Sequence, residues 1–165
     1  MEEKIRIRMI VMDVDGTLTD GKIYIGENGE IFKTFDIKDG YGIWYAQKYF
    51  QITFAVITGR KSKIVENRCK ELNITEVSQG INDKFAELRK IMDKYLLIPK
   101  EVAYIGDDII DLKCMKNIGM PMAPNNAVQE VKDAAKYVSI KNGGDGAVRD
   151  CIDYLKKNGF TVTCK

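Results

Sequence analysis

The sequence contains no histidine among its 165 residues. This absence excludes a Ser-His-Asp triad, a papain-like Cys-His pair, a phosphohistidine intermediate and any zinc site with a histidine ligand. If the protein is an enzyme, its chemistry must therefore use carboxylates, lysine, hydroxyls, thiols or a hard metal ion.

Cysteine pairs, a strong charge excess and long apolar runs are also missing. The four cysteines form no C-x-x-C pair, which argues against a zinc ribbon or a thioredoxin-type site and favours a reducing compartment. The 26 Lys and Arg residues exceed the 24 Asp and Glu residues by only two, too few to indicate a nucleic-acid or membrane partner. No apolar stretch is long enough for a signal peptide or a membrane span. We therefore expect a cytoplasmic protein with one domain, residues 1–165.

Strand-like and helix-like hydrophobic patterns alternate along the chain. Strands are predicted at 8–14, 53–58, 76–78, 102–105, 120–123 and 137–140. Helices are predicted at 41–49, 62–72, 85–96, 109–118, 128–136 and 148–155. This order predicts an α/β fold in which a Rossmann-like parallel sheet is sandwiched between helices.

A β-hairpin is predicted near the N-terminus, as a flap over about residues 20–36. Segments 22–26 and 30–35 alternate in polarity around Glu27-Asn28-Gly29. The Asn-Gly pair supplies the positive φ angles that a tight hairpin turn needs.

Polar residues follow three of the predicted strands. Asp13 and Asp15 come at the end of the first strand, Thr58 ends the second, and Asp107 follows the strand at 102–105. Lys84 stands at the start of a helix that follows another strand. Ligands of parallel α/β sheets bind at the carboxyl ends of the strands, so we expect these side chains to converge.

Three aspartates in one crevice repel each other unless a cation lies among them. Oxygen-only ligands favour a hard ion, and an open shell that keeps water favours Mg²⁺. The sequence lacks the ligand spacing of a calcium-binding EF-hand loop. We therefore expect Mg²⁺ to be bound near Asp13, Asp15 and Asp107.

The same residue types suit phosphoryl transfer. With Mg²⁺ bound, Asp13 is a candidate nucleophile that would form an aspartyl phosphate. Asp15 is a candidate acid and base, because it lies two residues further on. Thr58 would bind phosphoryl oxygens and Lys84 would offset the growing negative charge.

Each of these features also has a simpler explanation. An isolated Asp-x-Asp-Gly is most often a turn, Gly-Asp-Asp can be a helix N-cap, and Lys84 alone is typical of a solvated helix residue. Arg68 shares a helical face with Ile64 and Val65, so its stem could pack there or its guanidinium could bind an anion. Trp44 and the tyrosines beside it are expected in the core rather than at a subunit contact. The Asp-x-Asp-Gly, Gly-Asp-Asp and Lys84 features favour an active site because they occur together at strand ends.

The motifs resemble those of the haloacid dehalogenase superfamily phosphatases, in order and in spacing. They are Asp13-Val14-Asp15-Gly16-Thr17, Thr58, Lys84 and Gly106-Asp107-Asp108-x-x-Asp111. Further segments resemble the 3-deoxy-D-manno-octulosonate 8-phosphate phosphatases. They are Asp39-Gly40-Tyr41-Gly42-Ile43, Gln79-Gly80, and Gly143-Gly144-x-Gly146-Ala147-Val148-Arg149. The resemblance covers nearly the whole chain.

This resemblance implies a phosphatase without a separate cap domain. It implies a homotetramer in which the hairpin of each subunit helps to wall a neighbour's site. Mg²⁺ would be held by Asp13, the backbone carbonyl of Asp15, and Asp107, with Asp108 and Asp111 behind these ligands. Together with Lys84, the residues implied to face substrate are Asp36, Ile37, Lys38, Asp39, Gly40, Gly59, Arg60 and Arg68.

The chain departs from the octulosonate phosphatase pattern at several positions. Trp44 and Asp145 stand where the family usually has Arg, and Leu112-Lys113 stands where Trp-Pro is common. An arginine can bind a carboxylate with two hydrogen bonds, so another sugar phosphate or a nonulosonate phosphate is an alternative substrate. A phospho-receiver-like domain or a non-catalytic scaffold is the alternative of a different class. The glycines at 143–146 could form a hinge or a phosphate-binding nest.

Overall fold

Six parallel strands form the central sheet of the computed structural model, which describes residues 5–162. Together with the two strands of a hairpin, the strands of the described residues are β1 (Met9–Met12), β2 (Tyr24–Gly26), β3 (Gly29–Phe32), β4 (Thr53–Thr58), β5 (Glu76–Gln79), β6 (Val102–Ile105), β7 (Met120–Ala123) and β8 (Tyr137–Val138). The sheet order is β5-β4-β1-β6-β7-β8, while β2 and β3 pair separately as an antiparallel hairpin. The predicted parallel sheet and the predicted hairpin are both confirmed.

Helices cover both faces of the sheet. They are α1 (Ile37–Phe50), α2 (Lys63–Glu71), α3 (Lys84–Lys94), α4 (Leu112–Met115), α5 (Gln129–Ala134) and α6 (Ala147–Lys157), with short 3-10 turns at Pro99–Glu101 and Ile109–Asp111. No helix within residues 5–162 has the length and apolar character needed to cross a membrane.

The core is split into two layers by the sheet. Alternate residues of β1 point to opposite faces, so that Ile10 and Met12 belong to one layer and Met9 and Val11 to the other. Helices α1, α2 and α6 cover the first layer, and α3, α4 and α5 cover the second. Burial on both faces explains why the central strands are continuous apolar runs rather than alternating ones.

Helix α1 begins earlier than its apolar pattern predicts. The Asp36 side chain accepts a hydrogen bond from the Lys38 amide at 2.6 Å and so caps the first turn. Gly40 and Gly42 lie inside the helix, where the side chains of Arg68 and Arg149 approach its backbone closely. A Cβ atom at Gly40 would lie 2.6 Å from Arg68 Nη2, and one at Gly42 would lie 2.8 Å from the Arg149 side chain.

The outer face of α1 corrects one expectation. Trp44 is 40% exposed and Tyr41 is 54% exposed, so the prediction that these rings lie in the core is wrong. The buried side of the helix is formed instead by Ile43, Ala46 and Phe50. The exposed Trp44 ring contacts Tyr41, Tyr49 and Lys48 of the same helix.

The helix predicted at 109–118 is a 3-10 turn followed by the single turn of α4. The Asp108 carboxylate accepts from the Ile109 amide at 2.7 Å. The Asp111 carboxylate accepts from the amides of Asp107 and Asp108 at 3.1 and 3.3 Å. These bonds tighten the start of the segment, and the periodic pattern alone could not reveal them.

A buried carboxylate joins α1 to α6. Asp39 Oδ1 accepts a hydrogen bond from the Arg149 amide at 2.8 Å, in the first turn of α6. Its other oxygen, Oδ2, is buried without a partner in the described structure. Burial raises the pKa of Asp39 to about 6, despite the opposing effect of the Arg149 amide.

The raised pKa of Asp39 predicts a pH-dependent stability. Because the folded chain holds this proton up to about pH 6 while the unfolded chain loses it near 3.8, stability should fall as the pH rises between those values. Asp39→Asn removes this titration. The effect of this substitution on the free energy of unfolding should be about 2 kcal/mol more stabilising at pH 8 than at pH 4. This difference corresponds to about 4–8 °C in Tm.

Thermal unfolding at both pH values measures this difference. The matched control is Asp153→Asn, which alters an exposed carboxylate of α6 that pairs with Arg149 at 2.9 Å. The difference between the two pH values should be smaller for this variant than for Asp39→Asn, because more than half of the Asp153 side chain is exposed. An Asp39→Asn effect that did not change with pH would contradict the assignment of a buried, proton-holding carboxyl.

Candidate active site

The candidate site lies at the carboxyl ends of three neighbouring strands. Strand β1 pairs with β4 on one side and with β6 on the other. Asp13 follows β1, Thr58 is the last residue of β4, and Asp107 follows β6 after one glycine. The sheet therefore brings these three predicted residues to one edge, while Lys84 enters from the first residue of α3.

Lys84 is held between two carboxylates. Its ammonium nitrogen lies 2.9 Å from Asp13 Oδ1 and 2.8 Å from Asp111 Oδ1, and its side chain is only 3% exposed. Although burial opposes it, the charges of Asp13 and Asp111 raise the pKa of Lys84. The lysine is therefore a buried cation of the site, and the simpler explanation of a solvated helix residue is wrong.

Asp111 uses both of its carboxylate oxygens. Oδ1 accepts from Lys84 Nζ and from the Tyr104 hydroxyl, each at 2.8 Å, and Oδ2 accepts from the amides of Asp107 and Asp108. This residue therefore orients the loop that carries Asp107. Tyr104 was missed by the sequence analysis because its position in an apolar strand is typical of a core residue.

Asp107 carries an oxygen that lacks a partner. Asp107 Oδ1 is buried and unbonded in the described structure. Carboxylate oxygens of Asp13, Asp107 and Asp111 all lie within 4.8 Å of one another. Burial, reinforced by the charge of Asp13, raises the pKa of Asp107 to about 8. Burial, reinforced by the charge of Asp111, likewise raises the pKa of Asp13 to about 6.

These properties fit a divalent cation bound by oxygen ligands. A cation would bind the free Asp107 oxygen and would offset the repulsion among the carboxylates, which adds to the effect of burial on both pKa values. Since Asp111 already accepts four hydrogen bonds, we take Asp13 and Asp107 as the side-chain ligands. The backbone carbonyl of Asp15 stays a prediction from the sequence. Gly16 makes room beside them, because a Cβ there would lie 2.0 Å from Asp107 Oδ2.

Asp15 turns toward the hairpin. Its side chain is 28% exposed, and Oδ1 lies 2.6 Å from Lys33 Nζ. Lys33 follows strand β3, and its own side chain is only 2% exposed. Lys33 was not predicted as a site residue, because a lysine in a hairpin with many polar residues is usually solvated.

Asn126 connects two loops around Gly16 and was also missed. Its amide nitrogen donates to the Gly16 carbonyl at 2.9 Å, and its oxygen accepts from the Gly143 amide at 2.6 Å. A Cβ at Gly143 would lie 2.0 Å from the same Gly16 carbonyl oxygen. The glycine loop is therefore packed against the backbone that follows Asp15, a role that neither the hinge nor the nest interpretation includes.

The residues expected to face substrate fall into three groups. Ile37 and Lys38 are exposed on the first turn of α1, which Asp36 caps. Asp39 is directed to α6, as described above, which argues against a direct contact of its side chain with substrate. Gly59 and Arg60 follow β4, and the Arg60 guanidinium lies 3.7 Å from Glu30 of the hairpin.

Arg68 lies in a cavity of about 340 Å³ between the hairpin and α2. The residues that line this cavity are Ile31, Phe32, Lys33, Phe35, Ile64, Asn67, Arg68 and Glu71. The Arg68 guanidinium lies 5.6 Å from the centre of the Phe35 ring and pairs with Glu71 at 2.9 Å. Its Nε is buried without a partner in residues 5–162. The Arg68 side chain is therefore largely packed, with 18% of it exposed, and its role in binding an anion stays a prediction.

The candidate metal ligands predict a stability response to Mg²⁺. Mg²⁺ at 100 times its dissociation constant should stabilise the fold by about 2.7 kcal/mol, which thermal unfolding detects. Because the Asp107 proton must leave first and the pKa of that group is about 8, the shift should grow from pH 6 to pH 8. Asp107→Asn should abolish the shift, whereas Asp93→Asn on the exposed side of α3 should leave it unchanged. An undiminished shift in Asp107→Asn would contradict this metal site.

Comparisons with known proteins agree with this geometry. Residues 70–152 match the family model for haloacid dehalogenase-like hydrolases. The 3-deoxy-D-manno-octulosonate 8-phosphate phosphatase of Escherichia coli K12 is 44% identical over 149 residues, which cover 90% of this chain and 79% of the relative.

Solved structures show the same likeness. The octulosonate 8-phosphate phosphatase of Moraxella catarrhalis, in complex with magnesium, phosphate and the sugar acid, matches with a TM-score of 0.88 and 36% identity. The match covers 93% of this chain and 89% of that one. The cobalt-bound enzyme of Haemophilus influenzae matches with a TM-score of 0.89 and 35% identity, covering 93% and 90% of the two chains. The chain therefore belongs to the 3-deoxy-D-manno-octulosonate 8-phosphate phosphatase family of haloacid dehalogenase-like hydrolases.

Proposed function

We propose that this chain is a Mg²⁺-dependent phosphatase that hydrolyses the phosphate monoester of a small sugar acid, 3-deoxy-D-manno-octulosonate 8-phosphate. The observation that carries the proposal is the buried Asp13 carboxylate, 2.9 Å from the Lys84 ammonium and grouped with the unpartnered Asp107 oxygen. A nucleophile and a cation site thus share one crevice. The names of the relatives support the choice of sugar acid.

Asp13 is the proposed nucleophile. One of its carboxylate oxygens forms a bond to phosphorus while the bond between phosphorus and the leaving alcohol oxygen breaks. The Lys84 ammonium holds this carboxylate and offsets the negative charge on the phosphoryl oxygens. The Thr58 hydroxyl, at the end of the adjacent strand, is proposed to donate to one of those oxygens. A bound Mg²⁺ supplies the positive charge that lets a phosphate dianion approach carboxylates.

Asp15 is the proposed proton-transfer group. Its carboxyl gives a proton to the leaving alcohol oxygen as the bond from that oxygen to phosphorus breaks. In the second step its carboxylate takes a proton from the water that attacks phosphorus. The bond between phosphorus and the Asp13 oxygen then breaks, which releases phosphate and restores both carboxyl groups.

The cavity between the hairpin and α2 is the proposed place for the sugar acid. One wall carries Lys33, which contacts the proton-transfer group Asp15. Another wall carries Arg68, whose guanidinium is proposed to donate to the substrate carboxylate. Arg60 and the exposed first turn of α1 would complete the rim. Asp39 is not among the proposed substrate contacts, because its carboxylate accepts a hydrogen bond from the Arg149 amide of α6.

Turnover of a panel of phosphate esters tests the proposed substrate. We expect a kcat/KM for octulosonate 8-phosphate at least about 100-fold above those for hexose phosphates and for 4-nitrophenyl phosphate, because only a sugar acid can use a carboxylate-binding arginine. Activity should be lost with chelator. A preference for a nonulosonate phosphate or a neutral sugar phosphate would overturn the choice of substrate but not of reaction.

Two variants separate the reaction from substrate recognition. Asp13→Asn should abolish turnover of every ester in the panel, since no nucleophile is left. Arg68→Gln should raise KM for the sugar-acid phosphate while leaving turnover of 4-nitrophenyl phosphate close to the original rate. Activity retained by Asp13→Asn would refute the aspartyl-phosphate mechanism.

We also propose a homotetramer in which each hairpin helps to enclose the site of a neighbouring subunit. The hairpin exposes several large apolar side chains, among them Ile23, Ile25 and Ile31, of which Ile25 is 69% exposed. Exposed apolar groups of this kind mark interaction surfaces. A site without a separate cap domain also needs another element to exclude water.

Sedimentation velocity tests the assembly. We expect the chain to sediment as a tetramer, and Ile25→Asp should shift it to smaller species because a charge would be buried at the interface. The same substitution should lower kcat/KM. Ile98→Asp, at an exposed position before the Pro99–Glu101 turn, is the matched control and should leave the tetramer intact. A monomer at micromolar concentration would contradict the shared site.

A cytoplasmic location and a single-domain organisation complete the proposal. Cys69, Cys114 and Cys151 are all buried and unpaired, as expected for a protein kept in a reducing compartment. One sheet with helices on both faces holds every proposed catalytic residue, which supports treating residues 1–165 as one domain.

A further inference from the structure

A single ion pair holds the side chain of Asp15. The Lys33 ammonium lies 2.6 Å from Asp15 Oδ1. In residues 5–162, Lys33 is the only hydrogen-bond or ion-pair partner of this carboxylate. The Asp15 side chain is 28% exposed, whereas that of Lys33 is 2% exposed. The partly open carboxylate is therefore anchored by a lysine that is itself buried.

Lys33 is in turn held by the hairpin. Its ammonium lies 2.9 Å from Glu30 Oε1, and Glu30 stands at the start of the returning strand β3. The other oxygen of Glu30 accepts from the Ser62 hydroxyl, just before α2, and Arg60 lies 3.7 Å from Oε1. A chain of charged groups thus runs from Asp15 through Lys33 and Glu30 to the segment that follows β4.

We propose that Lys33 is a positioning residue for the reaction, which fixes the orientation of the Asp15 carboxyl and makes proton transfer depend on the docked hairpin. The proposal rests on the proposed function, because it takes Asp15 as the proton-transfer group. Lys33 lies outside the four motifs at the strand ends, and it is assigned by its contacts alone.

Lys33 acts by orienting the Asp15 carboxyl. A carboxyl on a loop with one partner can rotate freely once that partner is removed, and a displacement of about 1 Å in a reacting group can cost about 100-fold in rate. The buried position of Lys33 limits its own motion, and Glu30 limits it further. The pair therefore fixes the orientation of the Asp15 side chain before substrate arrives.

The leaving group of the substrate provides the test. An alkyl phosphate needs a proton on its leaving oxygen, whereas 2,4-dinitrophenyl phosphate releases a stable anion and does not. Ethyl phosphate is the alkyl ester used, because Lys33 also lines the proposed sugar-acid cavity and ethyl phosphate carries no sugar acid. In Lys33→Met, kcat/KM for the alkyl ester should fall about 10- to 100-fold, and kcat/KM for the dinitrophenyl ester less than about threefold. Lys33→Arg, which restores the charge, should recover most of the loss.

Controls separate this proposal from a general loss of structure. Lys90→Met removes an exposed lysine of α3 that pairs with Glu87 at 3.2 Å, and it should change neither rate. The Mg²⁺-induced shift in Tm should be the same in Lys33→Met as in the original chain. Glu30→Gln keeps Lys33 but weakens its anchoring, so kcat/KM should again fall more for the alkyl ester than for the dinitrophenyl ester, by a smaller factor. This variant replaces Lys33→Met if Lys33→Met fails to fold.

The result for Asp15→Asn distinguishes two kinds of failure. If Asp15→Asn shows the leaving-group contrast but Lys33→Met and Glu30→Gln lower both rates equally, or neither, the positioning role is wrong and the proposed function stands. If Asp15→Asn itself shows no contrast, Asp15 is not the acid, and the proposed function loses that step together with this inference.

Discussion

The interaction on which the site depends is the contact of Lys84 with two buried carboxylates. Three aspartates converge at one edge of the sheet, and without compensation their mutual repulsion would oppose folding. The Lys84 ammonium lies within 2.9 Å of both Asp13 and Asp111 and supplies part of that compensation. We propose that a bound cation supplies the rest, because Asp107 Oδ1 is buried without a partner in the described residues.

The surrounding loops are arranged so that this cluster can form. Asp111 ties down the Asp107 loop through two backbone amides. Asn126 joins the Gly16 carbonyl to the glycine loop before α6. At Gly16 a side chain would collide with Asp107, so the close approach requires glycine. Strong packing on both faces of the sheet provides the rigid frame against which these short polar contacts are made.

Much of the fold could be predicted from periodicity, since buried strands and amphipathic helices have different apolar repeats. The strands at Thr53–Thr58, Val102–Ile105 and Met120–Ala123 have the predicted bounds. The predictions were weaker where polar side chains bond to the backbone. Asp36 extends α1, and Asp108 and Asp111 shorten the helix expected after β6. Trp44 was misplaced because an aromatic ring on a helix carries no signal of which face the helix buries.

The kind of chemistry follows from the amino-acid sequence, because a chain without histidine that places aspartates, a threonine and a lysine after its strands has few reactions open to it. The sequence also determines which strand ends carry those groups, since local patterning is enough to locate strands. Three contacts are apparent only in the tertiary structure. Lys33 pairs with Asp15, Asn126 joins two loops, and Asp39 accepts a hydrogen bond from the first turn of α6. Those contacts join residues 17 to 110 positions apart. Their distances depend on how the hairpin and helices pack, which no local pattern encodes.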